Sequence, residues 1–238
     1  MIYVYLKGGL GNQMFQYAAA RALAEKSHTK VCLDLSFLNS KQNGVTERKF
    51  ELEALNINAV FPTKSESNYI RRSDSRYFKF LNILHFPKIK IRIIKETGFE
   101  YNPIVYKNGE NICLIGYWQS EKYFADIKEI ILKEFSPKEE AKGKNKILEE
   151  EISKVNSVSL HIRRGDYVNN PLIKSVHGIC GIDYYLNGIK YVSEKIDNPH
   201  YFVFSDDIDW CKKNFLTNAT VSFIGNNSTN NSYEDMRL

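Results

Sequence analysis

The feature that most constrains this chain is a short apolar run that leads through glycines directly into a helical pattern. Residues 2–6 read IYVYL, the segment KGGLG follows, and apolar residues then recur at spacings of three and four. Asn12 is the expected cap of this helix. A second apolar run occupies residues 31–35. A strand, a helix and a strand in this order predict a parallel sheet with a right-handed crossover.

The same alternation returns later in the chain. Strands are predicted at residues 112–117, 157–162, 201–204 and 221–224, and helices at residues 121–135, 183–196 and 208–215, with a capped helix start at Ser232. Before the last three of these strands lies the polar run SPKEEAKGKNK, residues 136–146. Polar runs with proline and glycine are typical of domain boundaries. We therefore expect two α/β domains, residues 1–140 and 150–238.

The composition is that of an ordinary globular protein, because 43% of the 238 residues are hydrophobic and 26% are charged. These values exclude disordered, collagen-like and coiled-coil chains. No apolar stretch approaches the ~18–20 residues that a membrane helix needs, and the amino terminus does not resemble a secretory signal. The four cysteines lack the spacing of a metal site. We therefore expect mostly buried, free thiols in a cytoplasmic protein.

The positive charge is concentrated in one segment, which also has the least regular pattern. Residues 63–95 hold nine Lys and Arg but only two acidic residues, a net charge of +7 against +5 for the whole chain. Within it, IKIRIIK at residues 89–95 partly alternates apolar and basic residues. Such a segment is expected either to dock on an anionic membrane surface or to form a solvated loop or a patch for an acidic ligand.

The first candidate site is the glycine loop KGGLGNQMFQ at residues 7–16. Glycines at a helix start, here Gly9 and Gly11, leave backbone N–H groups and a positive dipole end for a phosphate or a sugar. Asp34, 23 residues after Gly11, imitates the ribose-binding acid of a nicotinamide site, but Met14 replaces the third glycine of that fingerprint. A structural turn without a ligand is the other alternative.

The second candidate site is HIRRGD, which follows an apolar strand. In an extended chain His161 and Arg163 share one face, at the edge of the sheet where α/β folds bind ligands. The rigid fork of an arginine can hold two phosphate oxygens and balance a leaving diphosphate. The alternative is structural: a salt bridge between Arg164 and Asp166, with His161 buried.

The third candidate site is SDDID at residues 205–209, again between a strand and a helix. Asp206 or Asp207 could accept the two N–H groups of a guanine edge. Asp207 and Asp209 form a D-x-D pair that could hold a metal on a nucleotide-sugar diphosphate. Serine and aspartate are also the preferred caps of a helix. The spacing leaves all three interpretations open.

Taken together, GGLGNQMFQYA, HIRRGD and YFVFSDD resemble the family 11 glycosyltransferases, the bacterial α-1,2-fucosyltransferases, over essentially the whole chain. The resemblance implies an α/β, GT-B-like fold of two Rossmann-like lobes with a cleft between them. The first lobe would serve the acceptor and carry the basic insertion 63–95. The second lobe would bind the nucleotide sugar. The donor would be GDP-fucose, with no metal and no cofactor.

The resemblance also implies roles for individual residues. Arg163 would hold the β-phosphate and the departing oxygen, and Asn12 would face the fucose and the acceptor. His161 would lie along the nucleotide, and Asp206 or Asp207 would read the guanine. The remaining substrate-binding residues would be Arg164, Gly9, Gly11 and Gln13.

One departure from the family concerns the carboxyl end. The family continues beyond the helix predicted at Ser232 with an aromatic segment that helps to hold the diphosphate, and this sequence has no such residues. We therefore expect an incomplete second lobe, a frayed last helix and an incompletely covered sheet.

The function predicted on this basis is inverting, metal-independent transfer of L-fucose from GDP-fucose to the 2-hydroxyl group of a galactoside in a surface glycan such as an O-antigen. The expected partners are GDP-fucose, a galactose-containing oligosaccharide or lipid-linked glycan, and an anionic membrane surface, without nucleic acid. The expected location is the cytoplasm, peripheral to the inner face of the membrane. The alternatives are a GT-A enzyme with Mn²⁺ on Asp207 and Asp209, and a non-catalytic remnant that binds nucleotide sugar.

Overall fold

The structure is a computed structural model that describes residues 1–40, 47–74, 90–98, 100–103, 111–165, 168, 178, 180–215, 217–227 and 232–238. The chain divides into two compact units, Met1–Lys138 and Glu139–Leu238. Each unit contains its own parallel sheet, so the α/β organisation expected from the alternating pattern is present in both.

The first unit is built on a five-stranded sheet whose paired strands all run parallel, in the order β3-β2-β1-β5-β4. Its elements are β1 (Ile2–Tyr5), α1 (Leu10–Lys26), β2 (Val31–Asp34), β3 (Ala59–Val60), α2 (Lys64–Asp74), β4 (Arg92–Lys95), β5 (Ile112–Ile115) and α3 (Lys128–Glu134). All residues of β1, β2 and β5 are buried. Continuous apolar runs are typical of strands covered on both faces.

The two faces of this sheet bury different side chains, because successive residues of a strand point to opposite sides. On one face Tyr3 and Cys32 pack in a cluster with Ile70 of α2. On the other side α1 contacts β1 and β2. Ala18 and Ala22 of α1 also pack against the segment that leads into and includes α3. These small side chains allow α1 to lie close to its neighbours.

A buried polar network fastens α1 to α3. The carboxylate of Glu134 accepts hydrogen bonds from the Tyr17 hydroxyl at 2.6 Å and from Arg21 Nε at 3.0 Å. Burial, together with the hydrogen bond to Glu134, raises the pKa of Tyr17 well above its ordinary value. The network therefore keeps Tyr17 protonated and satisfies a carboxylate that would otherwise be costly to bury.

The start of α1 corrects one prediction. The N-cap residue is Gly9, and no side chain caps the helix. The prediction of Asn12 as the cap is wrong, because Asn12 lies within the first turn and its side chain accepts a hydrogen bond from Gln119 instead.

The helix expected at residues 121–135 is also shorter than predicted. Only Lys128–Glu134 is α-helical, after two 3-10 turns at Glu121–Tyr123 and Ala125–Ile127. Phe124, between the turns, has φ −140° and ψ 12°, and this backbone conformation interrupts a continuous helix.

The basic segment is more regular than its sequence suggests. Residues 75–89 lie outside the described residues, but the described parts form α2 and the strand β4. Strand β4 lies at the edge of the sheet and carries Arg92 and Lys95 exposed. Charged side chains on an edge strand discourage pairing with other chains, so part of the positive charge has a structural explanation.

The second unit is built on a three-stranded parallel sheet in the order β6-β7-β8. Its elements are α4 (Gly143–Ile152), β6 (Asn156–Ile162), α5 (Ile182–Ser193), β7 (Pro199–Ser205), α6 (Ile208–Asn214), β8 (Thr220–Ile224) and α7 (Ser232–Arg237). The strands and helices predicted after residue 150 are all present, with ends shifted by at most three residues. Helix α4 begins inside the polar run that was predicted as a boundary.

The sheet of the second unit is covered on both faces, but unevenly. One face packs against α5 and α6 through a cluster that includes Ile162, Tyr185 and Cys211. The other face of β7 and β8 packs against Leu148 of α4. On β6 the polar residues Ser157, Ser159 and His161 are exposed. The edge strand therefore presents a polar face at its carboxyl end.

Helix α7 is anchored, which corrects the expectation of a frayed last helix. Asn145 donates to Glu234 at 2.7 Å, Asn227 donates to Asp235 at 2.7 Å, and Arg237 donates to the carbonyl of Glu139 at 2.8 Å. Leu238 packs against the apolar cluster on the α4 side of the sheet. Tertiary contacts therefore stabilise a helix too short to form alone.

Three of the four cysteines are buried, as expected. Cys32, Cys113 and Cys211 are buried free thiols, whereas Cys180 is exposed. Burial raises the pKa of Cys32 to about 12, so this thiol is unreactive. Within the described ranges, no helix combines the length and the apolar character needed to cross a membrane.

Candidate functional site

The glycine loop at the carboxyl end of β1 is covered by side chains of its own unit. Gly8 has φ +79°, and a Cβ added there would collide with the Asn12 side chain, so glycine is required. At Gly9 an added Cβ would lie 4.0 Å from the Arg48 guanidinium. Gly11 is exposed and has open space around it. Asn12 and Arg48 therefore both lie beside the glycines of this loop. No motif in the sequence indicated Arg48.

Gln13 is fully buried and holds the loop together. Its amide Nε2 donates to the carbonyls of Gly8 at 2.9 Å and Lys49 at 2.7 Å. Its Oε1 accepts from the backbone N–H of Glu51 at 3.0 Å. Gln13 thus ties residues 49–51 to α1 and places Arg48 beside the glycines. The resemblance assigned Gln13 to the substrate, but its amide is occupied by these three backbone contacts.

Gln16 and Asp34 are also buried and bonded to nearby groups. Gln16 exchanges two hydrogen bonds of 3.0 Å with the backbone of Lys7. Asp34 Oδ1 accepts from the Ser36 N–H at 2.7 Å and the Ser67 hydroxyl at 3.2 Å. Because Asp34 is wholly buried, it cannot meet a ribose as the acid of a nicotinamide site does.

Asn12 reaches a second loop at the carboxyl edge of the same sheet. Its Oδ1 accepts a hydrogen bond from Gln119 Nε2 at 2.6 Å. Gln119 follows β5, so strands β1 and β5 bring the two side chains together although they lie 107 residues apart. Gln119 is therefore a candidate site residue that the sequence motifs did not indicate.

In the second unit an arginine and an aspartate join the ends of β6 and β7. Arg163 Nε lies 3.1 Å from Asp206 Oδ2, and the Arg163 side chain is 36% exposed. Asp206 Oδ1 accepts from the backbone N–H groups of Arg164 at 2.8 Å and Gly165 at 3.1 Å. Asp206 therefore fixes both the loop and the arginine that sequence reasoning assigned to a phosphate.

A second pair lies beside the first. Arg164 Nε lies 3.3 Å from Asp207 Oδ2, and the Arg164 guanidinium stacks 3.5 Å from the centre of the Trp210 ring. Asp207 Oδ1 accepts from the Trp210 N–H at 3.3 Å and so caps α6. The alternative of an Arg164–Asp166 bridge stays a prediction, because Asp166 lies outside the described residues. Trp210 was missed by sequence reasoning.

The remaining candidates of this edge are more exposed. His161 is exposed on β6, so the alternative of a buried histidine is wrong. Asp209 is exposed on α6, whereas both oxygens of Asp207 are engaged by Arg164 and Trp210. The capping interpretation is therefore confirmed for Asp207. In the part of the chain that the structure describes, no three His, Cys, Asp or Glu residues are grouped as metal ligands.

A protein-family model matches the sequence over its whole length. The model described as "Glycosyl transferase family 11" matches residues 1–238. The chain belongs to glycosyl transferase family 11. The resemblance carried by the glycine loop, HIRRGD and YFVFSDD is thereby confirmed.

Relatives of this family 11 chain act in glycan synthesis. An α-1,2-colitosyltransferase of Escherichia coli is 36% identical over 94% of this chain and 76% of its own length. The O-antigen biosynthesis glycosyltransferase WbnK of Escherichia coli is 29% identical over 100% of this chain and 83% of its own length. The mouse galactoside 2-α-L-fucosyltransferase Sec1 is 25% identical over 100% of this chain and 58% of its own length. This chain is a glycosyltransferase of the same family.

Solved structures show the fold of this family 11 chain. NodZ α-1,6-fucosyltransferase soaked with GDP-fucose superposes with a TM-score of 0.53 at 12% identity, over 98% of this chain and 80% of NodZ. NodZ co-crystallised with GDP gives a TM-score of 0.53 at 11% identity, over 98% of this chain and 81% of NodZ. The expected α/β, GT-B-like fold class is confirmed.

Proposed function

We propose that this family 11 chain transfers an L-fucosyl group from GDP-fucose to the 2-hydroxyl group of a galactoside in a surface glycan, with inversion and without a metal ion. The observation that carries the proposal is the pair of arginine–aspartate contacts at the carboxyl edge of the second sheet. In α/β sheets this edge is where ligands bind. Two positioned guanidinium groups suit a diphosphate because each offers a planar fork of donors.

Arg163 is assigned to the phosphate of the departing GDP. The acceptor hydroxyl attacks the anomeric carbon from the side opposite GDP, the C–O bond to the β-phosphate breaks, and negative charge builds on the phosphate oxygen. Arg163 stabilises that charge, since its side chain is held by Asp206 yet about a third exposed. A base removes the proton of the acceptor hydroxyl. Inversion at the anomeric carbon follows from this single displacement.

Neighbouring residues bind the nucleotide. Asp207 exposes 41% of its side chain and Asp206 only 16%. Each Asp207 oxygen accepts a single contact and keeps a lone pair for a guanine N–H, so we assign the guanine contact to Asp207. Arg164, stacked on Trp210, adds a second positive charge for the diphosphate. His161 is exposed next to this cluster on β6 and is assigned to the nucleotide.

In the first unit the glycine loop serves the acceptor. Asn12 is assigned to the fucosyl group and the acceptor, with its side chain oriented by Gln119. Gly9 and the exposed Gly11 allow a sugar to approach the backbone. Gln13 keeps this loop and Arg48 in place.

The 36% identity with a colitosyltransferase favours a second candidate donor sugar. Colitose is fucose without its 3-hydroxyl group, so a site that bonds that hydroxyl would reject colitose strongly. Rates with GDP-fucose and GDP-colitose, measured side by side, decide between the two sugars.

The experiment that tests the function combines transfer and binding. We expect the protein with GDP-fucose and lactose to form a product whose fucose is linked to the galactose 2-hydroxyl by NMR, with undiminished activity in EDTA. Loss of activity in EDTA and its return with Mn²⁺ would instead support the metal-dependent alternative on Asp207 and Asp209. Protection against thermal unfolding by GDP-fucose without any transfer would support the non-catalytic alternative.

A lipid-linked acceptor would bring the basic segment 63–95 close to an anionic membrane surface. We propose that this segment docks there, with each Lys or Arg near acidic lipid adding ~1 kcal/mol at modest salt. In the described part of the segment, Lys95 donates to the Asp74 carbonyl at 3.2 Å, but its side chain is exposed and its charge still faces the solvent. Equal sedimentation with neutral and acidic vesicles would contradict this docking.

A further inference from the structure

Strand β6 lies at one side of the second sheet, and its outer edge is open. Among the described residues it forms a ladder with β7 alone, over all seven positions from Asn156 to Ile162. The outer edge of such a strand presents backbone N–H and C=O groups that a further strand could pair with. We infer that this edge is an interface at which two copies of the chain join their second sheets through antiparallel β6 strands.

The other edge strands of the two sheets have features that discourage pairing with another chain. Strand β3 has only two residues, and β4 exposes Arg92 and Lys95. Strand β8 has five residues, four of them at least partly buried. Short strands and charged side chains are common ways in which proteins protect the edge of a sheet.

Strand β6 does not have these features. Its sequence, NSVSLHI, contains no lysine, arginine, acidic residue or proline. Asn156, Ser157, Ser159 and His161 are exposed along it. With seven residues it is also the longest of the edge strands, so an identical strand can pair along its whole length without meeting a like charge.

The sequence of β6 is complementary to itself when two copies run antiparallel. The register that pairs all seven residues places Ser159 on the two-fold axis. Val158 then lies opposite Leu160, on the face that packs against α5 and α6. Ser157 lies opposite His161 on the other face. Apolar residues thus meet apolar residues and neutral polar residues meet each other, as stable cross-strand pairs require.

This complementarity is the reason for choosing a second copy of the chain as the occupant. A two-fold contact uses the same surface on both copies, so one self-complementary strand is sufficient to form it. The two three-stranded sheets become one sheet of six strands, in the order β8-β7-β6-β6-β7-β8. Antiparallel pairing places the carboxyl ends of the two β6 strands, and the Arg163 that follows each, at opposite edges of that sheet. The inference does not depend on the proposed function.

The test places charges on the two-fold axis. Opposed side chains of an antiparallel pair have their Cβ atoms about 4.5–5.5 Å apart, so Ser159→Lys opposes two ammonium groups and Ser159→Asp opposes two carboxylates. We expect sedimentation velocity to show a concentration-dependent dimer of the wild-type protein. Each variant should weaken the dimer at least about tenfold. An equal mixture of the two variants should recover it, because opposite charges then meet.

The matched control is Thr220→Lys, an exposed position on the opposite edge strand β8, which should form dimers like the wild-type protein. Hydrogen exchange of the wild-type protein needs no variant: exchange of the β6 amides should slow as the protein concentration rises, whereas exchange of the β8 amides should not. A dimer that Ser159→Lys leaves as stable as the wild-type dimer would overturn the inference. A monomer at every concentration up to the solubility limit would also overturn it and would leave the edge to a strand of another protein.

Discussion

The carboxyl edges of the two sheets carry polar residues of different kinds. In the first unit Gln13 and Gln16 are fully buried, and their amide groups bond to backbone. In the second unit Arg163 is 36% exposed and is held by a carboxylate rather than enclosed. The comparison teaches that motif residues differ in their availability: some are occupied in shaping a loop, and others stay exposed where a ligand could reach them.

The physical reason is the free energy of desolvation. A neutral amide can be buried when its donors and acceptors are all satisfied, as they are around Gln13. A buried guanidinium costs more, so Arg163 and Arg164 stay partly exposed and are paired with Asp206 and Asp207. A partly exposed guanidinium group can still bind an anionic ligand. A buried amide whose hydrogen bonds are all made within the protein cannot.

The largest expected effect is the loss of transfer rate in Arg163→Ala, which tests the exposed edge of the second unit. We expect the transfer rate to fall by roughly 10²–10³, because one charge-stabilising donor of the transition state is lost. The melting temperature should change little, since the side chain is partly exposed. Arg163→Lys should recover only part of the rate, because a point charge lacks the fork.

Steady-state kinetics and calorimetry check this prediction. Lys190→Ala, which removes an exposed positive charge on α5 of the same unit, is the matched control. Wild-type turnover in Arg163→Ala would show that the phosphate assignment is wrong.

The opposite pattern is expected for Gln16→Ala in the first unit. The free energy of unfolding should fall by about 2–4 kcal/mol, because the N–H and carbonyl of Lys7 lose their partners and a cavity forms. The affinity for GDP should stay the same. Urea unfolding and GDP titration measure the two quantities.

The control for Gln16→Ala is Asn187→Ala, an exposed amide on α5. Normal stability together with lost GDP affinity in Gln16→Ala would reverse the roles assigned to the two edges.

A smaller effect on GDP affinity is expected from variants of Arg164 and Trp210 in the second unit. Arg164→Lys retains a positive charge but loses the stacking on Trp210, so we expect GDP affinity to fall about fivefold, equivalent to ~1 kcal/mol. Trp210→Leu should reduce the affinity by a similar factor, and the double variant by little more, because both changes remove one contact. Additive losses in a GDP titration would contradict this coupling.

The smallest expected effect is on how the stability of the first unit depends on pH. Burial acts to raise the pKa of Glu66, but hydrogen bonds from Tyr3 and Thr63 outweigh it and hold that pKa below its ordinary value. A carboxyl whose pKa is lower in the folded state stabilises the fold above its unfolded pKa. That stabilisation is lost as the pH falls through the unfolded value to the folded one.

We therefore expect wild-type stability to decline on acidification below pH ~4.5 more steeply than that of Glu66→Gln. Urea unfolding at a series of pH values measures the two slopes. Glu129→Gln, on the exposed side of α3, controls for the removal of one carboxylate. Identical slopes in Glu66→Gln and wild type would show that the Tyr3–Glu66 contact contributes nothing.

Most strands could be predicted because apolar runs are local properties of the sequence. The runs at residues 2–6 and 157–162 differ from the observed β1 and β6 by a single residue at one end. Strand β4 was missed, because its basic residues concealed an edge strand whose Ile93 packs into the core. The helix at residues 121–135 was overestimated, because Phe124 adopts a non-helical conformation that no periodicity shows.

The site could be predicted in part. Arg163, Asp206 and Asp207 were predicted as site residues, and the structure brings them together at the ends of β6 and β7. Arg48, Gln119 and Trp210 were missed. Arg48 and Gln119 become recognisable only when the fold brings them to the glycine loop.

The amino-acid sequence by itself determined where most of the strands lie and that the glycine loop, HIRRGD and SDDID follow strands, because periodicity and turn chemistry act over a few residues. Only the tertiary structure decided which polar side chains are occupied and which are exposed. Gln13 finds its partner Lys49 36 residues away, and the Arg164 N–H finds Asp206 42 residues away. Hydrogen bonds and burial depend on such distant partners, so the division between residues that hold the loop and residues that face a ligand arises only when the sheets form.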